Sequence, residues 1–202
     1  MGKMIEDGEV GGFVDGGDSW TYYPYLWDQL IEIYKPKHIL DLGCGQGHAS
    51  KYFMDKGIQV TGMDGSTKAR DTKVIPDENF ILHNLKERFA WEIESCDFIW
   101  CCELLEHVDA KYISNILDIF SRPTVRVIAM THAFPGQGGY HHVNCQMPIY
   151  WKDKLNSIGF LYNEGLSLKS RKQAPDSHWQ RSGMLFEHVN TISSVEWNKD
   201  IK

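Results

Sequence analysis

The feature that most constrains this chain is a short apolar strand that leads directly into a glycine-rich turn. Residues 38–47 read His-Ile-Leu-Asp-Leu-Gly-Cys-Gly-Gln-Gly. Glycines at alternate positions after a strand, here Gly43, Gly45 and Gly47, bring the backbone of an α/β fold close to a nucleotide-like ligand, because a Cβ would collide with the ligand or the turn. Asp41 precedes the turn. Its carboxylate would repel a pyrophosphate and suit a ligand that carries an ammonium or sulfonium group.

The order of the predicted elements favours an α/β sheet protein. Apolar runs predict strands at residues 38–42, 58–63, 80–82, 97–101, 125–131, 160–168 and 183–189. Helical spacing predicts helices at residues 20–34, 48–56, 109–120 and 149–158. Because strands and helices alternate, we expect a parallel sheet with right-handed crossovers. The last two strands have only a polar, irregular segment between them at residues 169–181, which predicts an antiparallel hairpin at one edge.

We expect the chain to form one domain that is preceded by a flexible N-terminal segment. Residues 1–19 are acidic and rich in glycine, and we predict that they lack regular structure and become ordered over a bound ligand. Residues 20–202 would then form a single domain, which is long enough to bury a sizeable core.

The charge and cysteine content of the chain indicate which binding partners and which cellular compartment to expect. A formal net charge of −6 argues against a broad phosphate-binding face, so no nucleic acid partner is expected. The five cysteines are odd in number and contain no Cys-x-x-Cys pair, which favours buried thiols in a reducing, cytoplasmic setting over a zinc site. No apolar run approaches the length of a membrane span, so no membrane partner is expected.

Two motifs resemble one enzyme family. A dinucleotide fingerprint would have its third glycine where His48 stands, whereas the spacing Asp-x-Gly-x-Gly-x-Gly resembles motif I of the class I S-adenosylmethionine-dependent methyltransferases. Residues 97–108, which end in Leu-Glu-His-Val, resemble the strand-four block of family members that modify small molecules, including the ubiquinone-biosynthesis type. The resemblance covers residues 20–190. It implies a three-layer, doubly wound sheet of seven strands, mostly parallel, with the last strand reversed.

The cofactor implied by this resemblance is S-adenosylmethionine. Asp64 ends the second strand and would accept hydrogen bonds from the ribose hydroxyls, as an acidic residue does at this point in dinucleotide folds. Asn84 would bind the exocyclic amine of adenine, and the backbone at Cys101 would lie beside the methionine part. The predicted cofactor-binding residues are Asp41, Gly43, Cys44, Gly45, Gly47, Asp64, Gly65, Asn84, Leu85 and Cys101.

A loop rich in glycine and histidine follows the fifth strand, at the edge where open α/β sheets bind ligands. A neutral imidazole can take a proton from a hydroxyl, so His141 and His142 are predicted as general bases, with His132 third. Neighbouring side chains in an extended chain point to opposite sides, so one of the first two is expected to face the methyl donor. Alternatively, these histidines only hydrogen-bond within the loop.

Metal ligation is a further alternative for this loop. His132 and His141 could bind a cation together with a carboxylate such as Asp97, Glu103 or Glu106. The sequence shows no compact ligand cluster, so no metal site is predicted.

These observations predict a methyltransferase that acts on a small molecule, by O-methylation with a histidine base. Five residues of the polar segment are candidate contacts for an anionic or sugar acceptor: Arg171, Lys172, His178, Trp179 and Arg181. Alternatively, they belong to a solvated loop. Three alternatives stay open: a methyltransferase for tRNA or protein, a nucleotide-binding module such as a dinucleotide reductase, and a scaffold that keeps the cofactor pocket without turnover.

Overall fold

A computed structural model describes residues 2–191 of the chain, with the exception of the side chain of Glu9. The last part of the predicted domain, residues 192–202, lies outside the described residues. The predicted division at residue 19 stays a prediction.

The body of the protein is a seven-stranded sheet with the order β5-β4-β3-β6-β7-β9-β8. Its strands are β3 (His38–Leu42), β4 (Gln59–Asp64), β5 (Phe80–Leu82), β6 (Phe98–Cys101), β7 (Val127–Met130), β8 (Phe160–Tyr162) and β9 (Met184–His188). Strands β3 to β7 pair in parallel, and β9 runs antiparallel to both β7 and β8. The predicted fold class, a mostly parallel seven-stranded sheet with a reversed last strand, is confirmed.

Seven helices were found in the described part of the chain, and they cover both faces of the sheet. They are α1 (Pro24–Tyr34), α2 (His48–Asp55), α3 (Thr67–Asp71), α4 (Ile113–Phe120), α5 (Pro148–Asn156), α6 (Glu164–Lys172) and α7 (His178–Ser182). Alternate residues of each strand pack into two apolar layers, one on each face of the sheet, because successive side chains point to opposite faces. One layer packs Ile39 and Trp100 against α1, α2, α6 and α7, and the other packs Leu40 and Ile99 against α4 and α5. This is the predicted three-layer, doubly wound arrangement.

The strand order reverses between β3 and β6, which creates the crevice that positions the site. Asp41 of β3 is level with Gly62 of β4 and with Trp100 of β6. The carboxyl ends of these strands therefore meet at one edge, where ligands of open α/β sheets bind.

Three predicted segments differ from the structure. The helix predicted at residues 20–34 begins at Pro24, because Ser19–Thr21 forms a separate 3-10 turn capped by the side chain of Asp18. The strand predicted at residues 160–168 ends at Tyr162, because the side chain of Asn163 accepts a hydrogen bond from the Leu166 amide and starts α6. Residues 169–181 are not irregular but contain the end of α6 and α7, so β8 and β9 pair without forming a simple hairpin.

The amino-terminal segment is regular, contrary to the prediction for residues 1–19. Strands β1 (Met4–Glu6) and β2 (Gly12–Val14) pair in antiparallel register, and we call residues 4–14 the N-terminal hairpin. Hydrogen bonds fix this segment to the domain: Ser66 Oγ donates to Asp7 at 2.6 Å, and the Gly16 amide donates to Gln46 Oε1 at 2.8 Å. Local composition did not reveal these long-range contacts.

Among residues 2–191, no helix has both the length and the apolar character of a membrane span.

Candidate cofactor and acceptor site

A cavity of about 780 Å3 opens at the carboxyl edge of the sheet. Its walls come from the N-terminal hairpin, the glycine turn after β3, the segment after β6, the loop after β7, and α7. Of the predicted cofactor residues, it is lined by Asp41, Gly43, Cys44, Gly45 and Asp64.

The three glycines of the turn all have positive φ, at 78° for Gly43, 53° for Gly45 and 85° for Gly47. Other residues adopt this conformation at a cost. A Cβ on Gly43 would lie 2.9 Å from the Leu104 side chain, and one on Gly47 would lie 3.1 Å from Ile75. The glycines are therefore required by the turn and by protein packing, in addition to any ligand contact.

Asp64 connects the end of β4 to the glycine turn. Its Oδ2 accepts a hydrogen bond from the Gly45 amide at 2.8 Å, and its Oδ1 accepts one from the Ser66 amide at 2.8 Å. Burial raises the pKa of this carboxyl, and the two amide hydrogen bonds oppose the shift. Each carboxylate oxygen can accept a further hydrogen bond. The arrangement therefore suits a pair of ligand hydroxyls that approach from the cavity.

Asp41 is a buried carboxylate in the cavity wall. Its Oδ2 accepts hydrogen bonds from the Ser50 amide at 3.0 Å and from Ser50 Oγ at 2.6 Å. Burial raises the pKa of Asp41 to about 7; the charge of Asp64 adds to the shift, and the Ser50 hydrogen bonds oppose it. An ammonium or sulfonium group in the cavity would favour the ionised form of this carboxyl.

The raised pKa of Asp41 predicts a pH-dependent stability. Between about pH 4 and pH 7 the folded chain holds a proton that the unfolded chain has released, so the free energy of unfolding falls as pH rises through that window. We expect Asp41→Asn to remove this pH-dependent loss of stability. The difference in melting temperature between the variant and the parent should therefore grow, in favour of the variant, from pH 4 to pH 7. The predicted contact between Asp41 and the cofactor ammonium implies that the same change also weakens S-adenosylhomocysteine binding. Melting curves across pH and calorimetric titration measure both, and parallel curves for the two proteins would contradict the assignment.

The predicted adenine contacts border a second, small hollow of about 40 Å3. Gly65, Asn84 and Leu85 line it together with Val10 of the N-terminal hairpin. Asn84 Oδ1 accepts a hydrogen bond from the Lys86 amide at 3.0 Å, so this oxygen already closes a local turn. Asp64, Gly43 and Leu104 border both spaces, which places the hollow beside the main cavity.

The two adjacent cysteines of β6 and its end have different surroundings. Cys101 is fully buried in the core and is absent from the cavity wall, whereas Cys102 lines the cavity. Burial raises the pKa of both thiols well above the ordinary value. Both are therefore protonated near neutral pH and are poor nucleophiles.

Only one of the three predicted base histidines lines the cavity. His132 is buried, its Nδ1 lies 3.3 Å from the carbonyl oxygen of Ala133, and burial lowers its pKa. His141 has a left-handed backbone with φ of 54° and is absent from the cavity wall. His142 lines the cavity. Its Nδ1 lies 3.1 Å from the carbonyl oxygen of Gln137. Donation of the Nδ1 proton to that carbonyl leaves a lone pair on Nε2.

His142 belongs to a compact cluster that the sequence did not predict. Three side-chain atoms that could ligate a metal, one each from Glu106, His107 and His142, all lie within 4.8 Å of one another. Burial, aided by the neighbouring His142, lowers the pKa of His107 to about 4. Burial also raises the pKa of Glu106, with the charge of Glu103 adding to the shift. The statement that the chain has no compact group of potential metal ligands is therefore wrong, whereas the absence of a metal site stays a prediction.

The wall provided by α7 carries a histidine and an arginine that contact other parts of the chain. His178 Nδ1 lies 3.2 Å from Glu103 Oε2, and its Nε2 lies 3.5 Å from Asp18 Oδ2. Arg181 lies over the ring of Trp20, with 5.0 Å between the guanidinium carbon and the ring centroid. Of the five predicted acceptor candidates, His178 and Arg181 line the cavity, whereas Arg171, Lys172 and Trp179 are absent from its wall.

Comparisons with known proteins agree with this geometry. A family model described as a methyltransferase domain matches residues 40–122. The ubiquinone biosynthesis O-methyltransferase of Coxiella burnetii is 36% identical over 87 residues, which span 40% of this chain and only 36% of that protein.

Solved structures share the fold at low identity. The magnesium protoporphyrin IX methyltransferase from Synechocystis PCC 6803, solved with bound SAM, is 17% identical with a TM-score of 0.53 over 69% of each chain. The [4+2]-cyclase SpnF is 13% identical with a TM-score of 0.57 over 85% of this chain and 84% of that one. Because a cyclase has the same fold, the fold alone does not fix the reaction.

Proposed function

We propose that this chain, which matches a methyltransferase domain over residues 40–122, uses S-adenosylmethionine to methylate a hydroxyl oxygen of a small molecule. One observation carries this proposal: the cavity that contains the glycine turn, Asp41 and Asp64 also contains the imidazole of His142. The predicted donor site and a candidate proton acceptor therefore share one cavity.

The residues have separable roles in this mechanism. Asp64 would hold the ribose and Asp41 the ammonium end of S-adenosylmethionine. The acceptor oxygen attacks the methyl carbon as the bond from that carbon to sulfur breaks, which releases S-adenosylhomocysteine, and the hydroxyl proton passes to His142 Nε2. Alignment of the two reactants supplies much of the rate gain. A positioned base adds roughly a hundredfold or more.

Two observations favour a small acceptor over tRNA or protein. Arg181 is the single lysine or arginine among the described residues that line the cavity, and the whole chain has a net charge of −6. A nucleic acid site would need several cations to bind phosphates. The named O-methyltransferase relative also acts in ubiquinone biosynthesis, although the alignment covers a minority of that protein. The five free cysteines support the predicted cytoplasmic setting.

The direct test is transfer of a labelled methyl group from S-adenosylmethionine to a panel of phenols, catechols and sugars, with bulk tRNA and protein as competing acceptors. Labelling of a small hydroxylated compound would support the proposal. Labelling of tRNA or protein alone would favour the macromolecular alternative. Binding of S-adenosylhomocysteine without transfer to any acceptor would favour the scaffold, and preferential binding of NAD would favour the dinucleotide module.

The histidine assignment predicts a sharp difference between neighbours. We expect His142→Ala to lower kcat/KM by roughly a hundredfold, because the acceptor hydroxyl loses its proton acceptor. Cofactor affinity should change little. The matched variant His141→Ala should lose no more than a few-fold, since its side chain is absent from the cavity wall. Steady-state kinetics and titration with S-adenosylhomocysteine measure the two effects, and equal losses in both variants would contradict the role of His142.

A further inference from the structure

We propose that Arg181 binds a carboxylate group of the methyl acceptor, which makes the acceptor a hydroxylated monocarboxylic acid. This assignment rests on the proposed function, because it names the class of compound that would enter the same cavity. Arg181 belongs to α7 and lines the cavity, where it is the single lysine or arginine within residues 2–191. One guanidinium suits one anionic group of a small molecule, since it can donate two parallel hydrogen bonds to a carboxylate.

Arg181 has no carboxylate partner among the described residues. Four carboxylates line the cavity in that part of the chain: Asp18, Asp41, Asp64 and Glu103. Those of Asp41 and Asp64 accept hydrogen bonds from a serine and from backbone amides. Those of Asp18 and Glu103 lie beside His178, at 3.5 and 3.2 Å. Because Arg181 is also exposed to solvent, its donors are available to an anionic ligand.

An aromatic ring orients the guanidinium of Arg181. Its central carbon lies 5.0 Å from the ring centroid of Trp20. His178, three residues earlier on the same face of α7, lies beside the same ring with 5.6 Å between ring centroids. A guanidinium stacks through its flat face and donates through its edge, so this contact leaves the donors unused. A donor group that is already oriented loses less entropy when a ligand binds.

The position of α7 relative to the sheet assigns the carboxylate to the acceptor rather than to the methyl donor, which also carries one. The predicted donor contacts lie at the ends of β3 and β4, whereas α7 leads into β9, which lies beyond β7 in the strand order. The loop after β7 carries His142, the proposed base. Arg181 and His142 thus reach the cavity from the same half of the sheet, so one acceptor could contact both.

The charge of the cavity wall favours a single anionic group on the acceptor. Four carboxylates stand against one arginine, so a compound with several negative charges would be repelled. His178 does not provide a second anion site, because its two ring nitrogens lie beside Glu103 and Asp18. A phosphate group carries a charge of about −1.5 to −2 near neutral pH, whereas a carboxylate carries one. A monocarboxylate therefore fits better than a phosphorylated compound.

The test is calorimetric titration of the full-length chain, with S-adenosylhomocysteine in excess, with two matched pairs of compounds. These are para-hydroxybenzoate with phenol, and glucuronate with glucose. We expect the parent to bind a carboxylated member at least about tenfold more tightly than its neutral partner, and Arg181→Gln to abolish that preference. Arg181→Lys should keep a part of it, because the charge stays but the two parallel donors are lost.

Arg122→Gln is the matched control for the loss of charge and of ring stacking. The guanidinium carbon of Arg122 lies 4.9 Å from the ring centroid of Trp91, and Arg122 is absent from the cavity wall. This variant should therefore keep the full preference for the carboxylated member. Circular dichroism verifies that each variant is folded.

Equal affinity of the parent for both members of each pair, or a preference that survives in a folded Arg181→Gln variant, would overturn the assignment. If Arg181→Gln lost affinity for S-adenosylhomocysteine but not for methylthioadenosine, which lacks the amino acid part, the carboxylate would be the donor's and the acceptor assignment would be wrong. Transfer to neutral acceptors alone, unchanged in Arg181→Gln, would overturn the assignment and leave the proposed function intact. Arg181-dependent binding without transfer to any acceptor would support the carboxylate site and contradict the proposed function.

Discussion

Replacement of Asp64 by alanine is expected to weaken S-adenosylhomocysteine binding by at least about a hundredfold. The variant loses a charged acceptor for two ribose hydroxyls, and each hydrogen bond to a charged group contributes about 1.5–3 kcal/mol. It also loses the two bonds that Asp64 accepts from the amides of Gly45 and Ser66, so the glycine turn is less well fixed. Calorimetric titration measures the change, with NAD titrated in parallel to show which ligand the pocket prefers.

Asp55→Ala provides the control for this prediction. Asp55 ends α2, and its side chain is 62% exposed and pairs with Lys51 on the surface, so its loss should leave affinity unchanged. Asp64→Asn separates the two roles of the carboxylate, since an amide keeps one oxygen for the Gly45 amide but has no charge. Undiminished affinity in Asp64→Ala would refute the placement of the ribose.

The second large effect is expected at Trp179, whose replacement by alanine should lower the free energy of unfolding by about 3–5 kcal/mol. This residue of α7 is fully buried, and its ring stacks on Trp100 with centroids 5.0 Å apart and an interplanar angle of 17°. Its Nε1 donates to Ser170 Oγ at 3.0 Å. Alanine would leave a large cavity between α7 and the sheet, and Ser170 Oγ would lose the hydrogen bond that it accepts.

Urea unfolding measures this loss, and Trp91→Ala is the comparison. Trp91 is partly buried and packs under the guanidinium of Arg122, so about 1–1.5 kcal/mol is expected. Trp179→Phe should lie between the parent and Trp179→Ala, because the ring stacking is partly kept. A Trp179→Ala variant as stable as Trp91→Ala would show that α7 contributes little to the core.

The sequence predicted the sheet and the glycine turn at its carboxyl edge well because their signals are local. The strand before Gly43, the acid at the end of β4 and the proline at the start of α5 each act within a few residues. The helix α6 carries no such apolar signal: Ser167 and Ser170 are buried small residues, and their hydroxyls donate to carbonyl oxygens of their own helix. Polar composition there resembled a loop.

The acceptor end was harder to predict because distant segments build it. Sequence spacing could not choose among His132, His141 and His142, since the choice depends on how the loop after β7 is anchored to the Glu106 carbonyl. Strand alternation could have separated the neighbouring Cys101 and Cys102, because only one of two successive side chains faces a given side. The burial of Glu106 beside two histidines had no sequence signal beyond their presence in the chain.

The N-terminal hairpin touches both ends of the cavity at once. Phe13 faces Gly45 in the glycine turn, where a Cβ would lie 3.5 Å away, and Gly11 packs against the ring of His107 beside His142. One element thus covers both the predicted donor end and the predicted acceptor end of the cavity. Opening of the cavity on this side, to admit a reactant or release a product, would disturb contacts at both ends together. The frequency of that opening would then set a ceiling on turnover, however fast the methyl transfer itself.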